Sequence, residues 1–232
     1  MCGINGIISY SKKNNCAEQV NAMNNLIVHR GPDAEGEFRT LEDSFSIAMG
    51  MRRLSIIDLN TGNQPIYSDD NSKVIVFNGE IYNYKVLKEQ LIIQGCVFKT
   101  NSDTEVILKL YEKEGVKSFG KLDGMFAFSI YDKTIGKVFI ARDFFGEKPL
   151  YYSHTNNGFI WASELKSIVA TLPIKPEIDT TALSLYFQLT YIPAPYTIYE
   201  EIHKLEANHY IELDCYENSY SEHTIKAGKY DK

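Results

Sequence analysis

Short apolar runs, rich in β-branched and aromatic residues and too short for helices, most constrain the fold of this 232-residue chain. Such runs predict strands over 4–10, 45–51, 73–77, 125–131, 137–141 and 209–214. Apolar residues at three- and four-residue spacing predict helices over 17–27, 87–91, 106–111, 163–170 and 180–189. The strands follow one another as hairpins, and helices cluster between Asn83 and Gly115. This order favours an α+β fold of antiparallel sheets covered by helices over a regular βαβ repeat.

Composition excludes several classes of protein. Hydrophobic residues make up 44% of the chain and charged residues 23%, which is too apolar for intrinsic disorder. The net charge is −6 and the Lys and Arg residues are scattered, so no basic patch for nucleic acid is expected. No apolar run approaches the roughly 18 residues of a membrane span, and the N-terminus does not resemble a signal peptide. We therefore expect a cytoplasmic protein without a nucleic-acid or membrane partner.

The C-terminal part of the chain changes in texture. The segment YIPAPYTIYEEIHKL, residues 191–205, carries two prolines within three residues, which favours extended backbone and excludes a helix. A linker or domain edge is expected there. The polar stretch 214–232 has no periodicity and is predicted to be an irregular tail. A length of 232 residues suits one large domain, or one domain with an extension.

One of the four cysteines has an unusual position. Cys2, Cys16, Cys96 and Cys215 are widely spaced without a CxxC pair, which predicts neither a metal site nor a disulfide framework. Cys2 follows the initiator Met, whose removal would leave an N-terminal cysteine. In such a residue the α-amine can take the proton of the thiol, so Cys2 is a candidate nucleophile that needs no separate base. The alternative is a buried, inert cysteine at the start of a strand.

Two further motifs allow a structural and a chemical interpretation. In FNGEIYN, residues 77–83, the Asn78-Gly79 pair is typical of a hairpin turn, but an Asn amide beside a Gly N–H also suits an oxyanion. In NSDTEVILKLY, residues 101–111, Ser102 and Glu105 have the spacing of a capping box. Asp103 there either favours the helix N-terminus or holds a ligand ammonium group.

The arginine-bearing motifs are equally open from the residues alone. HRGPD, residues 29–33, ends a helix with Gly and Pro, which a structural stop explains. MRRLSIID, residues 51–58, places two arginines at a strand end. They either face solvent or capture a carboxylate with two hydrogen bonds.

Taken together and in this order, the motifs resemble a known family. The array MCGI, HRGPD, RRLSIID, QPI, FNGEIYN, SDTEVIL, DGMFAFSIYD, ARDFFGEKPLYY and SELKS is similar to the glutaminase domain of class II glutamine amidotransferases, which are N-terminal-nucleophile hydrolases. SELKS and the 191–205 segment look most like the glutaminase half of glutamine-hydrolysing asparagine synthetases. The resemblance covers about residues 2–213, of which 191–213 would lead toward a synthetase domain absent from this chain. It implies a four-layer αββα sandwich.

The resemblance also implies roles for individual residues. Cys2 would form a thioester with glutamine, and Asn78 and the Gly79 N–H would stabilise the oxyanion. Substrate binding would fall to Arg53, which directly precedes Leu-Ser, for the α-carboxylate and to Asp103 for the α-ammonium. Glu80 would lie beside the ammonium, and Ile56 would contribute a backbone contact. Asp143, Glu147 and Lys148 of ARDFFGEKPLYY match the family without an evident role in hydrolysis.

Partners and cofactors follow from the same resemblance. The implied substrate is L-glutamine, and the implied partner is a synthetase domain or protein that uses the ammonia to make asparagine from aspartate. ATP and Mg are expected only in that domain, because this chain has no Gly-Gly pair for a pyrophosphate-binding loop; neither cofactor nor metal is expected here. Two alternatives are an amidotransferase with another ammonia acceptor and a catalytically silent glutaminase-like interaction module.

Overall fold

The computed structural model describes residues 2–10, 16–54 and 62–227. Its strands are β1 (Gly3–Ser9), β2 (Ala34–Leu41), β3 (Ser46–Arg53), β4 (Ile66–Tyr67), β5 (Lys73–Ile81), β6 (Gly124–Asp132), β7 (Lys137–Arg142), β8 (Tyr151–Thr155), β9 (Gly158–Ala162), β10 (His203–Lys204), β11 (His209–Asp214) and β12 (Ser219–Thr224). Its α-helices are α1 (Cys16–Leu26), α2 (Tyr84–Ile93), α3 (Asp103–Glu114), α4 (Leu165–Val169) and α5 (Thr180–Leu189). Short 3₁₀ helices occupy Val28–Arg30 and Gly115–Lys121.

The strands form two six-stranded antiparallel sheets. The first has the order β10-β8-β9-β1-β3-β2, and the second has the order β12-β11-β7-β6-β5-β4. The sheets pack face to face through apolar side chains that alternate along β1, β3 and β5. Helices α1 and α4 cover the outer face of the first sheet, and α2 and α3 cover that of the second. These four layers confirm the predicted α+β sandwich.

The inter-sheet core is closely packed, and one glycine shows why. Gly6 lies on β1 against the fully buried Trp161, and a Cβ atom at Gly6 would stand 2.0 Å from the Trp161 ring. No other residue type fits this position without displacing the largest side chain of the core. Interiors this dense admit a cleft only where the chain replaces apolar side chains by smaller or polar ones.

The predicted strands and helices are all present, but polar edge strands escaped prediction. The prediction of an irregular tail over 214–232 is wrong for Ser219–Thr224, which forms β12 and pairs with β11 over six residues. The side chains of β12 and β2 are largely exposed, so no apolar alternation marks them, and backbone pairing alone defines them. The inner strands β8 and β9 also escaped prediction, although β9 is fully buried.

The proline-rich segment 191–205 belongs to the edge of the first sheet. Its last residues form β10, which pairs with β8, and Ile202 and Leu205 are fully buried. The boundary at residue 213 between a glutaminase domain and a following domain stays a prediction. Within the described ranges, no helix is long and apolar enough to cross a membrane.

Candidate active site

A cleft opens where the apolar alternation of three inner strands gives way to polar residues. Ile4 on β1, Met51 on β3 and Val76 on β5 point into the inter-sheet core. Because side chains alternate with a period of two, the next inward positions are Cys2, Arg53 and Asn78, and all three line the cleft. Its empty space is about 610 Å³, open mouth included. The fold thus ends its core in a thiol, a guanidinium and an amide.

Cys2 is half-buried, and hydrogen bonds hold both its side chain and its backbone. Its Sγ accepts a hydrogen bond from the Leu54 N–H at 3.3 Å, and its carbonyl accepts one from Arg30 Nε at 2.9 Å. Arg30 is fixed in turn by Glu164, whose Oε1 lies 3.2 Å from Arg30 Nη1. By contrast, Cys215 is fully buried, and burial raises the pKa of its thiol to about 12. Cys2 alone of the four cysteines lies in the cleft.

Asn78 and Gly79 lie inside strand β5 rather than in a hairpin turn. Asn78 is buried, and its Nδ2 has no hydrogen-bond partner among the described residues. A buried amide N–H without a partner costs about 1–3 kcal/mol, so such a donor points to a ligand. The hairpin interpretation of this pair is wrong, because β5 continues to Ile81 before the chain turns into α2.

The free edge of β5 brings the Gly79 N–H to the cleft. Gln64 occupies this edge at Phe77, accepting its N–H at 2.6 Å and donating to its carbonyl at 3.1 Å. Two positions beyond Gly79, the Ile81 N–H donates to Asp103 Oδ2 at 3.1 Å. The backbone groups of alternate residues face the same edge of a strand. The Gly79 N–H therefore lies at this edge, between the contact of Gln64 with Phe77 and that of Asp103 with Ile81.

Gly79 also has no room for a side chain. A Cβ atom there would stand 2.2 Å from the Met125 carbonyl oxygen and 2.8 Å from the Phe126 Cα. Both are backbone atoms of the paired strand β6, so the neighbour cannot move aside cheaply. The glycine therefore allows β5 and β6 to remain paired while the strand edge stays open beside Asn78.

Asp103 is the first residue of helix α3 and is buried in the cleft wall. Ser102 caps the helix, as predicted, by accepting the Thr104 N–H at 3.2 Å. The predicted capping box is incomplete, because Glu105 reaches past Ser102 and accepts the N–H groups of Lys99 and Thr100. Burial raises the pKa of Asp103 above its ordinary value despite hydrogen bonds from the Ile81 and Thr104 N–H groups. A cationic ligand would offset that burial.

The two neighbouring arginines point in opposite directions. Arg53 is buried in the cleft and donates to Asn63 Oδ1 at 2.9 Å. Arg52 turns to the other face of β3, where its Nη2 lies 2.7 Å from Glu35 and its Nε donates to the Asn24 carbonyl. Of these two arginines, Arg53 lines the cleft and can meet a ligand carboxylate there, whereas Arg52 does not.

The remaining predicted residues are placed unevenly. Glu80 lines the cleft beside Gly79, whereas Ile56 lies outside the described residues. Two residues of the site were not predicted from the sequence: Leu54, which contacts the thiol, and Gln64, which fixes the edge of β5. Lys148, for which no role was predicted, is buried and lines the cleft as well.

Comparison with known proteins assigns the chain to a family. Residues 1–224 match the family model described as "Glutamine amidotransferase domain". The chain is 46% identical to a putative asparagine synthetase [glutamine-hydrolyzing] 2 of Methanocaldococcus jannaschii, over 92% of this chain and 44% of that protein. It is 43% identical to asparagine synthetase [glutamine-hydrolyzing] 1 of Bacillus subtilis, over 89% of this chain and 32% of that protein. The chain thus spans less than half the length of either relative.

Solved structures agree with the fold. Glutamine phosphoribosylpyrophosphate amidotransferase from B. subtilis superposes with a TM-score of 0.70 at 18% identity, covering 97% of this chain and 50% of that one. A second structure, titled as the allosteric regulatory enzyme of purine biosynthesis, gives a TM-score of 0.69 at 18% identity. At this identity the likeness supports the two-sheet architecture alone.

Proposed function

The chain belongs to the glutamine amidotransferase domain family, and from this premise we propose that it hydrolyses L-glutamine to glutamate and ammonia with Cys2 as the nucleophile. The observation that carries the mechanism is one cleft that holds both a thiol and a buried amide N–H, on Asn78, without a partner among the described residues. Addition of sulfur to an amide needs such a nucleophile beside an unused donor.

The reaction consists of two additions and two eliminations. The Cys2 sulfur attacks the side-chain carbonyl carbon of glutamine, and the electron pair displaced onto oxygen is stabilised by Asn78 Nδ2 and the Gly79 N–H. The carbon–nitrogen bond then breaks, and ammonia leaves with the proton that the α-amine of Cys2 took from the thiol. Water adds to the thioester, the sulfur leaves and regains a proton, and glutamate is released. The α-amine is available only after removal of Met1.

Two opposite charges in the cleft, those of Arg53 and Asp103, support an amino-acid substrate. The Arg53 guanidinium would bind the α-carboxylate of glutamine with two hydrogen bonds. Asp103, whose pKa is raised by burial, would bind the α-ammonium, with Glu80 beside it and a backbone contact from Ile56. A simple amide offers neither charge, so it would leave the Asp103 carboxylate buried without a cation.

We further propose that the ammonia passes to a synthetase domain or protein that makes asparagine from aspartate. The support is the identity with relatives named asparagine synthetase, of which the chain covers less than half. ATP and Mg would bind to that domain alone. Given glutamine, aspartate, ATP and Mg, this chain by itself should release glutamate and form no asparagine. Asparagine formation by this chain alone would contradict the assignment of that step to a separate synthetase domain or protein.

The direct test measures glutamate released from glutamine by protein whose loss of Met1 is verified by mass spectrometry. We expect Cys2→Ala to abolish release. The matched control is Cys96→Ala, which removes the other partly exposed thiol and should retain activity. Release by Cys2→Ala equal to that of the wild type would overturn the mechanism. No release by the processed wild type would identify a catalytically silent module instead.

A further inference from the structure

The motif ARDFFGEKPLYY, residues 141–152, contains a buried cation for which glutamine hydrolysis as described above has no use. Lys148 is only 3% exposed and lines the same cleft as Cys2. Lysine is rarely buried to this extent, because removing its charge from water is costly. A fold that buries such a charge at the edge of a reactive cleft must hold it there by other interactions.

The loop before Lys148 is held by a carboxylate. Asp143 is fully buried, and its side chain accepts four backbone N–H groups at 2.8–3.2 Å. The donors are Phe126, Phe145, Glu147 and Lys148. Because one donor comes from strand β6 and three from the loop, the loop is tied to the strand that pairs with Asn78 and Gly79.

The Arg142 guanidinium also holds this loop, by donating hydrogen bonds to backbone carbonyl groups. Arg142 donates to the carbonyl oxygens of Lys148 at 2.8 Å, Gly146 at 2.6 Å and Leu205 at 2.5 Å. Gly146 has a φ of +68°, and a Cβ atom there would stand 3.0 Å from the Arg142 guanidinium carbon. These bonds fix the backbone of the loop in the conformation in which Lys148 lines the cleft.

Lys148 lies among several charged or ionisable side chains. Burial lowers the pKa of its ammonium group, Arg30 lowers it further, and the carboxylate of Asp143, the Cys2 thiolate and Glu147 act in the opposite direction. Lys148 and Cys2 line the same cleft, and a positive charge fixed beside a cysteine generally favours the thiolate over the thiol. The other charged groups lining the cleft are Arg53, Glu80 and Asp103.

We propose that Lys148 is a positioning residue whose charge holds the Cys2 side chain in its deprotonated, nucleophilic form. The thiolate is the reactive form of cysteine, and a neighbouring lysine is a known means of favouring it. Asp143 and Arg142 set the position of the ammonium group, and Arg30 binds the Cys2 carbonyl and adds a second positive charge. This inference deepens the proposed function, since a thiolate is what attacks the amide of glutamine.

The experiment follows alkylation of Cys2 by iodoacetamide against pH, and it does not depend on hydrolysis of glutamine. Mass spectrometry of the N-terminal peptide of the processed protein reports Cys2 alone. In Lys148→Met we expect the midpoint of the alkylation profile to move to higher pH by about one unit, which slows alkylation about tenfold below the midpoint. Lys148→Arg keeps the charge and should restore most of the rate.

The matched control is Lys204→Met. Lys204 is also partly buried, burial lowers the pKa of its ammonium as well, and its Nζ donates to the Ile192 carbonyl away from the cleft. Its removal should leave the alkylation profile unchanged. If Lys148→Met does not fold, judged by circular dichroism, Lys148→Gln takes its place with the same expected shift.

Three outcomes would overturn the proposal: an unchanged profile in folded Lys148→Met or Lys148→Gln, an equal shift in Lys204→Met, or no recovery in Lys148→Arg. Failure of the proposed function is a separate result. A shifted alkylation profile in a protein that releases no glutamate would leave Lys148 in its role and would reject glutamine as the substrate.

Discussion

Two groups of buried polar side chains lie next to each other at the end of the inter-sheet core, and they differ in how completely they are bonded. In the loop 143–148, the Asp143 carboxylate accepts four N–H groups. In the cleft wall, the Asn78 amide has an N–H without a partner among the described residues, and burial raises the pKa of Asp103. The Asp143 carboxylate, with its hydrogen bonds complete, stabilises the fold. The Asn78 amide and the Asp103 carboxylate can instead gain stabilising interactions when a ligand binds.

The largest effect on stability should come from the satisfied group. Asp143→Ala leaves four N–H donors without their acceptor, and those of Phe126 and Lys148 are in buried bonds, so we expect the free energy of unfolding to fall by about 3–5 kcal/mol. Urea denaturation measures it. Asp103→Asn is the matched control at the buried carboxylate of the cleft wall, and it should change the free energy of unfolding by less than about 1 kcal/mol. Equal losses in the two variants would remove the distinction between the two regions.

Substitution of Asn78 tests whether its N–H, which has no partner among the described residues, acts in catalysis. We expect Asn78→Ala to lower kcat about 10²- to 10³-fold with little change in KM, because the amide donates to the oxyanion and not to the ground-state amide. Its free energy of unfolding should stay within about 1 kcal/mol of the wild type, since the deleted N–H has no partner to lose. Steady-state kinetics and urea denaturation on the same preparation separate the two readouts. A stability loss without a kinetic loss would make Asn78 a structural residue.

Substitution of Asp103 tests whether its carboxylate binds the ammonium group of glutamine. Asp103→Asn removes the partner of the glutamine ammonium, so we expect KM for glutamine to rise about 100-fold, a loss of about 2.7 kcal/mol in binding. The rate constant kcat should change less, because the ammonium is distant from the reacting carbonyl. Glu105→Gln is the comparison on the same helix, where the carboxylate bonds only backbone and the Thr100 hydroxyl. A similar rise in KM for Glu105→Gln would show that the helix start, not the charge, matters.

The alternation of side chains made much of the cleft predictable. Continuing the inward positions from Ile4, Met51 and Val76 by two residues leads to Cys2, Arg53 and Asn78, and that arithmetic needs only the strands. The position of Lys148 in the cleft could not be predicted from the sequence, because it depends on a loop conformation that is fixed by hydrogen bonds to backbone atoms of other elements. The bonds of Glu105 to Lys99 and Thr100 escaped for the same reason. Period-two patterns specify faces, whereas contacts between loops depend on tertiary structure.

The smallest predicted effect is a pH dependence that belongs to the cleft wall alone. Burial raises the pKa of Asp103, so the native state binds its proton more readily than the unfolded state does, for which the pKa is about 3.9. Stability from this group is therefore present at low pH and is lost as pH rises through the raised pKa. Asp103→Asn should gain relative to the wild type in free energy of unfolding above the raised pKa and lose that gain as pH falls through it toward about 3.9.

The pH dependence of glutamine binding is opposite in sign to that of stability. The protonated Asp103 loses its charge while the glutamine ammonium keeps its own, so KM of the wild type should rise as pH falls through the raised pKa, and KM of Asp103→Asn should not change there. Urea denaturation and initial rates of both proteins, followed from about pH 8 down to about pH 4, measure the pair of effects. If KM rises equally in the variant, another group is responsible for the pH dependence. The difference between Asp143, which is bonded within the protein, and Asp103, which is proposed to bind the ligand ammonium, would then not depend on the charge of Asp103.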